Sequence, residues 1–287
     1  MSLGMSWIGR YSYVNLVWFA LLAAALPSHA QEIPPAVTII QAREIARFPA
    51  EQADQGVGVD RCCLYAVDNR AIGRYDKLTG ALLGVWQDSE AGPFIHLDSA
   101  MVRQGRLYAA HSNYPDVPMT SSIEIWDAQT LAHVGTRSLG IAFGSATWVD
   151  FHDGKWYVGF ANYGDRGGTP GRDARWTQVV RFDRRWRFDS AWTFPPEVLA
   201  RFATPDNPGR SNSGGSFGPD GLLYVSGHDR PEVYAMDLPQ AGSLLVWKKL
   251  IQVATPGQGI AWDRSRPGVL LGVDRDRNEV VTYEVPY

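Results

Sequence analysis

The sequence predicts an all-β chain in which one antiparallel four-stranded unit recurs five times around a ring. Three observations carry this. An apolar–aromatic pair recurs as Leu64-Tyr65, Leu107-Tyr108, Trp156-Tyr157 and Leu223-Tyr224, with Leu270-Leu271 as a fifth copy that lacks the aromatic. The copies follow one another at about 43 to 49 residues, with one interval of about 67, a spacing typical of propeller blades. The two ends of the pattern are also complementary. The fifth unit stops after its third strand, and an unassigned strand-like run precedes the first unit. The fold class that follows is a five-bladed β-propeller closed by pairing of N-terminal and C-terminal strands.

Each unit reads in the same order. The first strands are 56–59, 97–102, 147–151, 215–217 and 259–262, and the anchor pairs mark the second strands. Third strands end in an apolar–Asp step at Tyr75-Asp76, Trp126-Asp127, Phe182-Asp183 and Met236-Asp237. Each such Asp is suited to accept hydrogen bonds from the backbone of the turn that follows, which accounts for its position without chemistry. Fourth strands follow at 81–86, 131–136, 188–194 and 244–251. The third strand of the fifth unit is 279–285. Its partner is expected to be the run 36–48, where Val37, Ile39 and Ile40 favour a strand, although Gln41–Arg47 contains good helix formers. That pairing removes an exposed sheet edge. Residues 196–202 read as one short helix within the long interval.

Residues 1–30 read as a secretory signal peptide. Arg10 is the only charge, an apolar run covers Val14–Ala25, and Ser28-His29-Ala30 offers small residues at the cleavage-determining positions. The run is short for a membrane span. An uncleaved anchor is the alternative. The expected organisation is a leader over 1–30 and one propeller domain over 31–287, exported to a periplasm or the outside and monomeric, with no membrane attachment after cleavage. The chain of 287 residues is 45% hydrophobic and 20% charged, with a formal charge of −3, and it has no basic block, so no nucleic-acid partner is implied. The two cysteines are neighbours, Cys62-Cys63. A bond between adjacent residues is strained, so they read as packed thiols, and the core must hold the fold.

Antiparallel alternation sorts the loops by end. Fourth-to-first and second-to-third connections share one end, and the remaining two kinds share the other. The first end carries the unusual residues. His96, His111 and His228 lie at its loop borders, and both long insertions, 162–177 and 195–212, open there. The opposite end carries plain turns such as Gln104-Gly105, Asp153-Gly154 and Asp220-Gly221. Ligand-binding loops converge at a propeller's axis. The candidate catalytic residues are therefore His96, His111 and His228, since histidine is the usual acid or base near neutral pH. Candidate substrate-binding residues are Asn113, Asn162, Arg172, Arg175, Gln178, Asn212 and Gln258. The two arginines beside Trp176 suit a carboxylate or sugar acid.

The same residues admit other chemistries. His96 and Asp98 share a strand face and with His111 could ligate a metal, yet no HExxH or Cys/His run is present. No resident cofactor is expected; a divalent cation in the central channel is the one addition the sequence permits. A glycoside hydrolase would draw on Asp98, Asp150 and Glu232. No GxSxG elbow points to a serine triad.

Several segments resemble bacterial and fungal β-propeller proteins labelled cycloisomerases: His111-Ser-Asn-Tyr-Pro115, Ser122-Ile-Glu-Ile-Trp-Asp127, Arg172-Asp-Ala-Arg-Trp-Thr-Gln178, Asn212-Ser-Gly-Gly-Ser216, Gly227-His-Asp229 and Gly257-Gln-Gly-Ile-Ala-Trp-Asp263. The muconate-lactonising propellers that this label echoes have seven blades, against five counted here. The resemblance implies an isomerase or lyase that moves a proton at a carbon beside a carboxylate. Such a step needs a histidine and donors that stabilise an enolate-like charge. The expectation is thus an exported enzyme of cycloisomerase or lyase type acting on a carboxylate-bearing small molecule or sugar acid. The alternative is a non-catalytic glycan- or protein-binding propeller.

Overall fold

The computed structural model describes residues 1, 33–34, 36–164 and 167–287. Apart from Met1, the predicted leader lies outside the described residues. Beyond Met1, the described residues form one compact unit of five sheets, a five-bladed β-propeller whose blades are antiparallel.

Blade 1 uses Gly56–Val59, Cys63–Asp68, Ala71–Asp76 and Leu82–Gln87, from axis to rim. Blade 2 uses Leu97–Arg103, Arg106–Ser112, Ser121–Asp127 and His133–Gly140. Blade 3 uses Ser145–His152, Lys155–Ala161, Gln178–Phe182 and Phe188–Thr193. Blade 4 uses Gly214–Phe217, Leu223–Ser226, Glu232–Asp237 and Val246–Gln252. Blade 5 contributes Ala261–Trp262, Val269–Asp274 and Glu279–Glu284. Its fourth strand is Arg43–Pro49, which pairs antiparallel with Glu279–Glu284 and closes the ring.

The N-terminal run is not one strand. It breaks at Ala42, whose N–H donates to Gln252 O at 3.0 Å. Thr38–Gln41 lies parallel to the outer strand of blade 4 as a fifth strand, and only the following residues close blade 5. The first half thereby covers one edge that would otherwise be open. The outer strand of blade 2 starts at His133 rather than Leu131. Leu131 has φ +56° and donates to Asp127 O at 2.9 Å, so it belongs to the turn. Three of the four Asp steps act as read, and among the described residues no such bond is made by Asp237. Asp76 Oδ1 accepts from the N–H groups of Leu78 and Thr79, Asp127 Oδ1 from Gln129 and Thr130, and Asp183 Oδ1 from Arg185 and Arg187. The helix spans Pro196–Phe202 and buries Val198 and Phe202 against blade 4.

The core lies between blades. Trp126 and Trp148 are fully buried. Burying a ring of that size stabilises by on the order of 5 kcal/mol on area. The Trp148 Nε1–H donates to Asn212 Oδ1 at 2.6 Å, so its polar atom is satisfied inside the core. Outer strands are half wet: Leu82, Leu83 and Val85 remain exposed.

Close packing of the first strands narrows the axis. A Cβ on Gly56 would sit 2.6 Å from Ser99 Cα, and one on Gly259 would sit 2.6 Å from Gly56 Cα. Blades 1, 2 and 5 therefore touch backbone to backbone at the centre. The residue before each of these contacts is polar: Gln55, Asp98 and Gln258.

Candidate active site

Those three polar residues open into a cavity of about 370 Å³ at the first end of the ring. His96, Asn69, Tyr114, Tyr163, Arg210, Ser213, His228 and Arg275 complete most of its wall. Residues from all five blades meet there. Backbone bonds between blades fix the frame. Gly259 N–H donates to Gln55 O at 2.9 Å, Leu97 N–H to Asn69 O at 2.9 Å, and Gln258 N–H to Gly227 O at 2.9 Å. Gln258 holds φ +66° after Gly257 at φ +59°. A Cβ on Gly257 would meet the backbone of Gly227 and His228 at 2.5 Å, so only glycine lets this loop pass behind His228. A non-glycine residue in that conformation is strained, and such strain concentrates at functional sites.

His96 is buried, and its Nδ1–H donates to Asn69 Oδ1 at 2.6 Å. The direction follows from Asn69 Nδ2, which donates to the carboxylates of Asp54 and Asp68, so Oδ1 must be the atom facing the ring. Nε2 of His96 is then a lone pair, 3.8 Å from Asp98 Oδ2. Burial, then the positive charges of His111, Arg275 and His228, push the His96 pKa down to about 4. Burial pushes Asp98 well above the usual carboxylate range, although its Oδ1 accepts the Ser99 N–H at 2.9 Å. Burial thus favours the uncharged form of both neighbours, the imidazole and the carboxyl group.

His228 is arranged differently. Its Nδ1 lies 2.6 Å from Asp229 Oδ1, so this nitrogen carries the proton and Nε2 is the accepting nitrogen. Arg275 Nη1 stands 3.5 Å from that Nε2 and is anchored by Asp54 at 3.0 Å. Burial lowers the His228 pKa, and the Asp229 carboxylate opposes this. Arg210 Nη1 donates to the Tyr114 hydroxyl at 2.9 Å, and the Tyr114 ring packs on His96 and Tyr163 at 5.0 and 4.9 Å. Burial raises the Tyr163 pKa, keeping the phenol protonated.

Of the ten residues singled out from sequence, the cavity gathers His96, His228 and Gln258. The other seven are spent elsewhere. His111 Nδ1 is bonded to Ser122 Oγ at 3.1 Å, and its ring packs on Phe94 inside the blade, away from the cavity. Asn113 braces its own loop through Pro118 O and the Thr120 N–H. Asn162 donates to Phe143 O and Trp176 O, and Gln178 also donates to Phe143 O. Asn212 bonds Trp148, Gly214 O and Ser226 O. Arg172 donates to Ala142 O, and exposed Arg175 pairs with Asp173. Asn162, Gln178 and Asn212 thereby satisfy part-buried or buried backbone carbonyls of irregular loops. The residues missed were Gln55, Asn69, Tyr114, Tyr163, Arg210, Ser213 and Arg275. The polar-then-small steps Gln55-Gly56, Asp98-Ser99, Ser213-Gly214 and Gln258-Gly259, each entering a first strand, carried a readable signal for four cavity residues.

The three acids considered for glycoside hydrolysis do not meet. Asp98 is in the cavity, Asp150 is clamped by Arg264 at 2.6 Å, and Glu232 pairs with Arg201, whose Nε lies 3.0 Å from it. His111 is likewise turned away from His96 and Asp98, so these three do not form a metal site. Among the described residues, Asp60, Cys62 and Cys63 are the one set of three or more such groups whose ligand atoms cluster closely enough to hold an ion, and they are not in this cavity.

The fold defines the chain as a five-bladed β-propeller, and its structural neighbours include bacterial β-propeller enzymes. No protein-family model matches the chain, and no curated protein matches it. Among solved structures, it is similar to the glutaminyl cyclase of Myxococcus xanthus, at 11% identity and a TM-score of 0.58, over 88% of this chain and all of that one. It is also similar to the PQQ-bound aldose sugar dehydrogenase of Streptomyces coelicolor, at 12% identity and a TM-score of 0.50, again over 88% and all of the two chains. At these identities the likeness is one of fold.

Proposed function

We propose that the chain is an enzyme of isomerase or lyase type that binds a carboxylate-bearing small molecule or sugar acid in this cavity and moves a proton at the carbon beside the carboxylate. The observation that carries the reading is the pairing of His228 with Asp229 on one side and Arg275 on the other. Asp229 keeps the proton on Nδ1 and steadies the imidazolium that forms when Nε2 accepts one. Arg275 and Arg210 offer guanidinium donors to a carboxylate and to the enediolate-like charge that develops. Asp98, whose protonated form burial favours, is the acid that returns a proton to the departing or rearranging oxygen. His96, held neutral, accepts a substrate hydroxyl at Nε2. Two sets of titratable groups pushed in opposite senses are what such acid–base division needs. A monomer suffices, because one ring supplies every group. Residues 1–30 direct the chain to a periplasm or the outside, where sugar acids are met.

The test is solvent exchange. The chain is incubated with D-galacturonate, D-glucuronate or the lactone of a sugar acid in D2O, and deuterium at the carbon beside the carboxyl group is followed by NMR. Incorporation is expected for the native chain. It should fall about 100-fold or more in His228→Gln. Arg275→Met should chiefly weaken binding. Exchange that is undiminished in His228→Gln, or absent from every acid tried, overturns the reading.

A further inference from the structure

At the end of the ring opposite the cavity, the turn joining the first and second strands of blade 1 differs from its counterparts. In blade 4, Asp220 at this turn accepts the Tyr224 hydroxyl at 2.9 Å. In blade 1, Asp60 accepts the Tyr65 hydroxyl at 3.0 Å in the same way. The device is shared, but blade 1 adds two thiols to it. Asp60 Oδ1 also accepts the N–H groups of Cys62 and Cys63, each at 2.8 Å. That clasp bends the chain before the strand begins. Successive side chains would otherwise point to opposite faces of a strand. Here both sulfurs come to one side, 3.0 Å apart, with Cys62 Sγ 3.4 Å from Asp60 Oδ1.

We propose that Cys62, Cys63 and Asp60 form a binding site for a thiophilic divalent cation of the zinc or cadmium class. Two sulfurs and a carboxylate oxygen, all within 4.8 Å of one another, supply three ligands of the type such ions take, and water completes a tetrahedron. Zinc–sulfur bonds of about 2.3 Å in a tetrahedron require the sulfurs to separate by about three-quarters of an ångström, which rotation of Cys62 allows because that residue is exposed. Binding replaces the two thiol protons by the ion, and both protons go to solvent. Two thiolates, a carboxylate and a dication leave one net negative charge. The Lys77 ammonium, donating to Asp60 O at 2.6 Å and to Asp263 at 2.9 Å, lies beside it. The backbone is already fixed without the ion: Lys77 N–H donates to Cys62 O at 2.9 Å. The ligands are thus presented by a turn that exists for structural reasons, and Cys62 leaves an open approach from solvent.

The test is a titration of the chain with Cd2+ under a thiol-free phosphine reductant, following thiolate-to-cadmium charge-transfer absorption and proton release. One Cd2+ per chain and close to two protons per ion are expected. Cys62→Ser should bind at least about tenfold more weakly, and the Cys62→Ser, Cys63→Ser double variant should lose the absorption. His228→Gln should bind as the native chain does, because that residue lies at the other end. Absorption that is absent, or unchanged in the double variant, overturns the proposal, as does a chain whose two thiols stay joined to each other under the reductant. Should the serine variants fail to fold, alkylation of the native chain decides. Bound Cd2+ must slow modification of Cys62 by iodoacetamide, and equal rates with and without the ion overturn the site.

Discussion

Asn69 Oδ1 accepts the Nδ1 proton of His96 at 2.6 Å, from a loop 27 residues earlier in the chain and one blade away. This bond chooses the tautomer of a buried ring and aims its other nitrogen. Asn69→Ala leaves the ring free to turn, and the proposed exchange reaction should slow on the order of 10- to 100-fold. The thermal midpoint of unfolding should move by only a few degrees, as expected for loss of about 1 kcal/mol. Kinetics of the variant beside a melting curve check both.

Acid stability should carry the signature of His96. Its folded pKa of about 4 lies below the ordinary 6.5. As pH falls through 6.5 the unfolded chain takes up a proton that the folded chain refuses, so stability drops until pH 4, where both forms are protonated. The contribution is about 3 kcal/mol across that window. Urea unfolding from pH 7 to pH 4 should show the native chain losing about that much more stability than His96→Gln. Parallel curves would contradict it.

Asp98 should behave in the opposite sense. Its folded pKa is raised, so the folded carboxyl keeps a proton that the unfolded one releases above about pH 4, and stability is lost as pH climbs from there. Asp98→Asn has the same shape and needs no proton. It should gain stability relative to the native chain between pH 4 and pH 7, while the exchange reaction falls about 100-fold. Ligand affinity should change by no more than about threefold. Unfolding and binding measurements at the two pH values separate these effects.

The axial contact predicts a sharp contrast among glycines. A Cβ at position 259 meets Gly56 Cα at 2.6 Å and Ser99 Oγ at 2.7 Å, and backbone cannot swing aside. Gly259→Ala should cost about 2–3 kcal/mol and shift the urea midpoint accordingly. Gly84→Ala, on an outer strand with nothing within 4 Å, should change stability by under about 0.5 kcal/mol.

The ring was legible in the chain because the blades repeat one order of strands and turns, three of them with an Asp clasp, and repetition survives even where one anchor aromatic is lost at Leu271. The division of Thr38–Gln41 from Arg43–Pro49 was not legible, since a strand propensity says nothing about which blade a strand joins. The site was partly legible. His228 stands beside Asp229 in sequence, and His96 stands two residues before Asp98. Asn162 and Asn212 misled because an amide that ties down a buried loop and an amide that faces a ligand are the same residue type in the same kind of loop. Arg275 was hidden within a short acidic-and-basic turn, and only its distance from His228 reveals it.

Arg43 and Glu284 lie opposite each other although 241 positions separate them. Gln55 and Asn69 on one side of that seam, and Gln258 and Arg275 on the other, become neighbours only when it zips. The cavity is therefore whole only when the circle is closed, not when individual blades form. A chain cut free at Gln104-Gly105 and rejoined by a short tether across the seam should keep its cavity, whereas one shorn of the clasping strand should retain blades and lose the mouth they share.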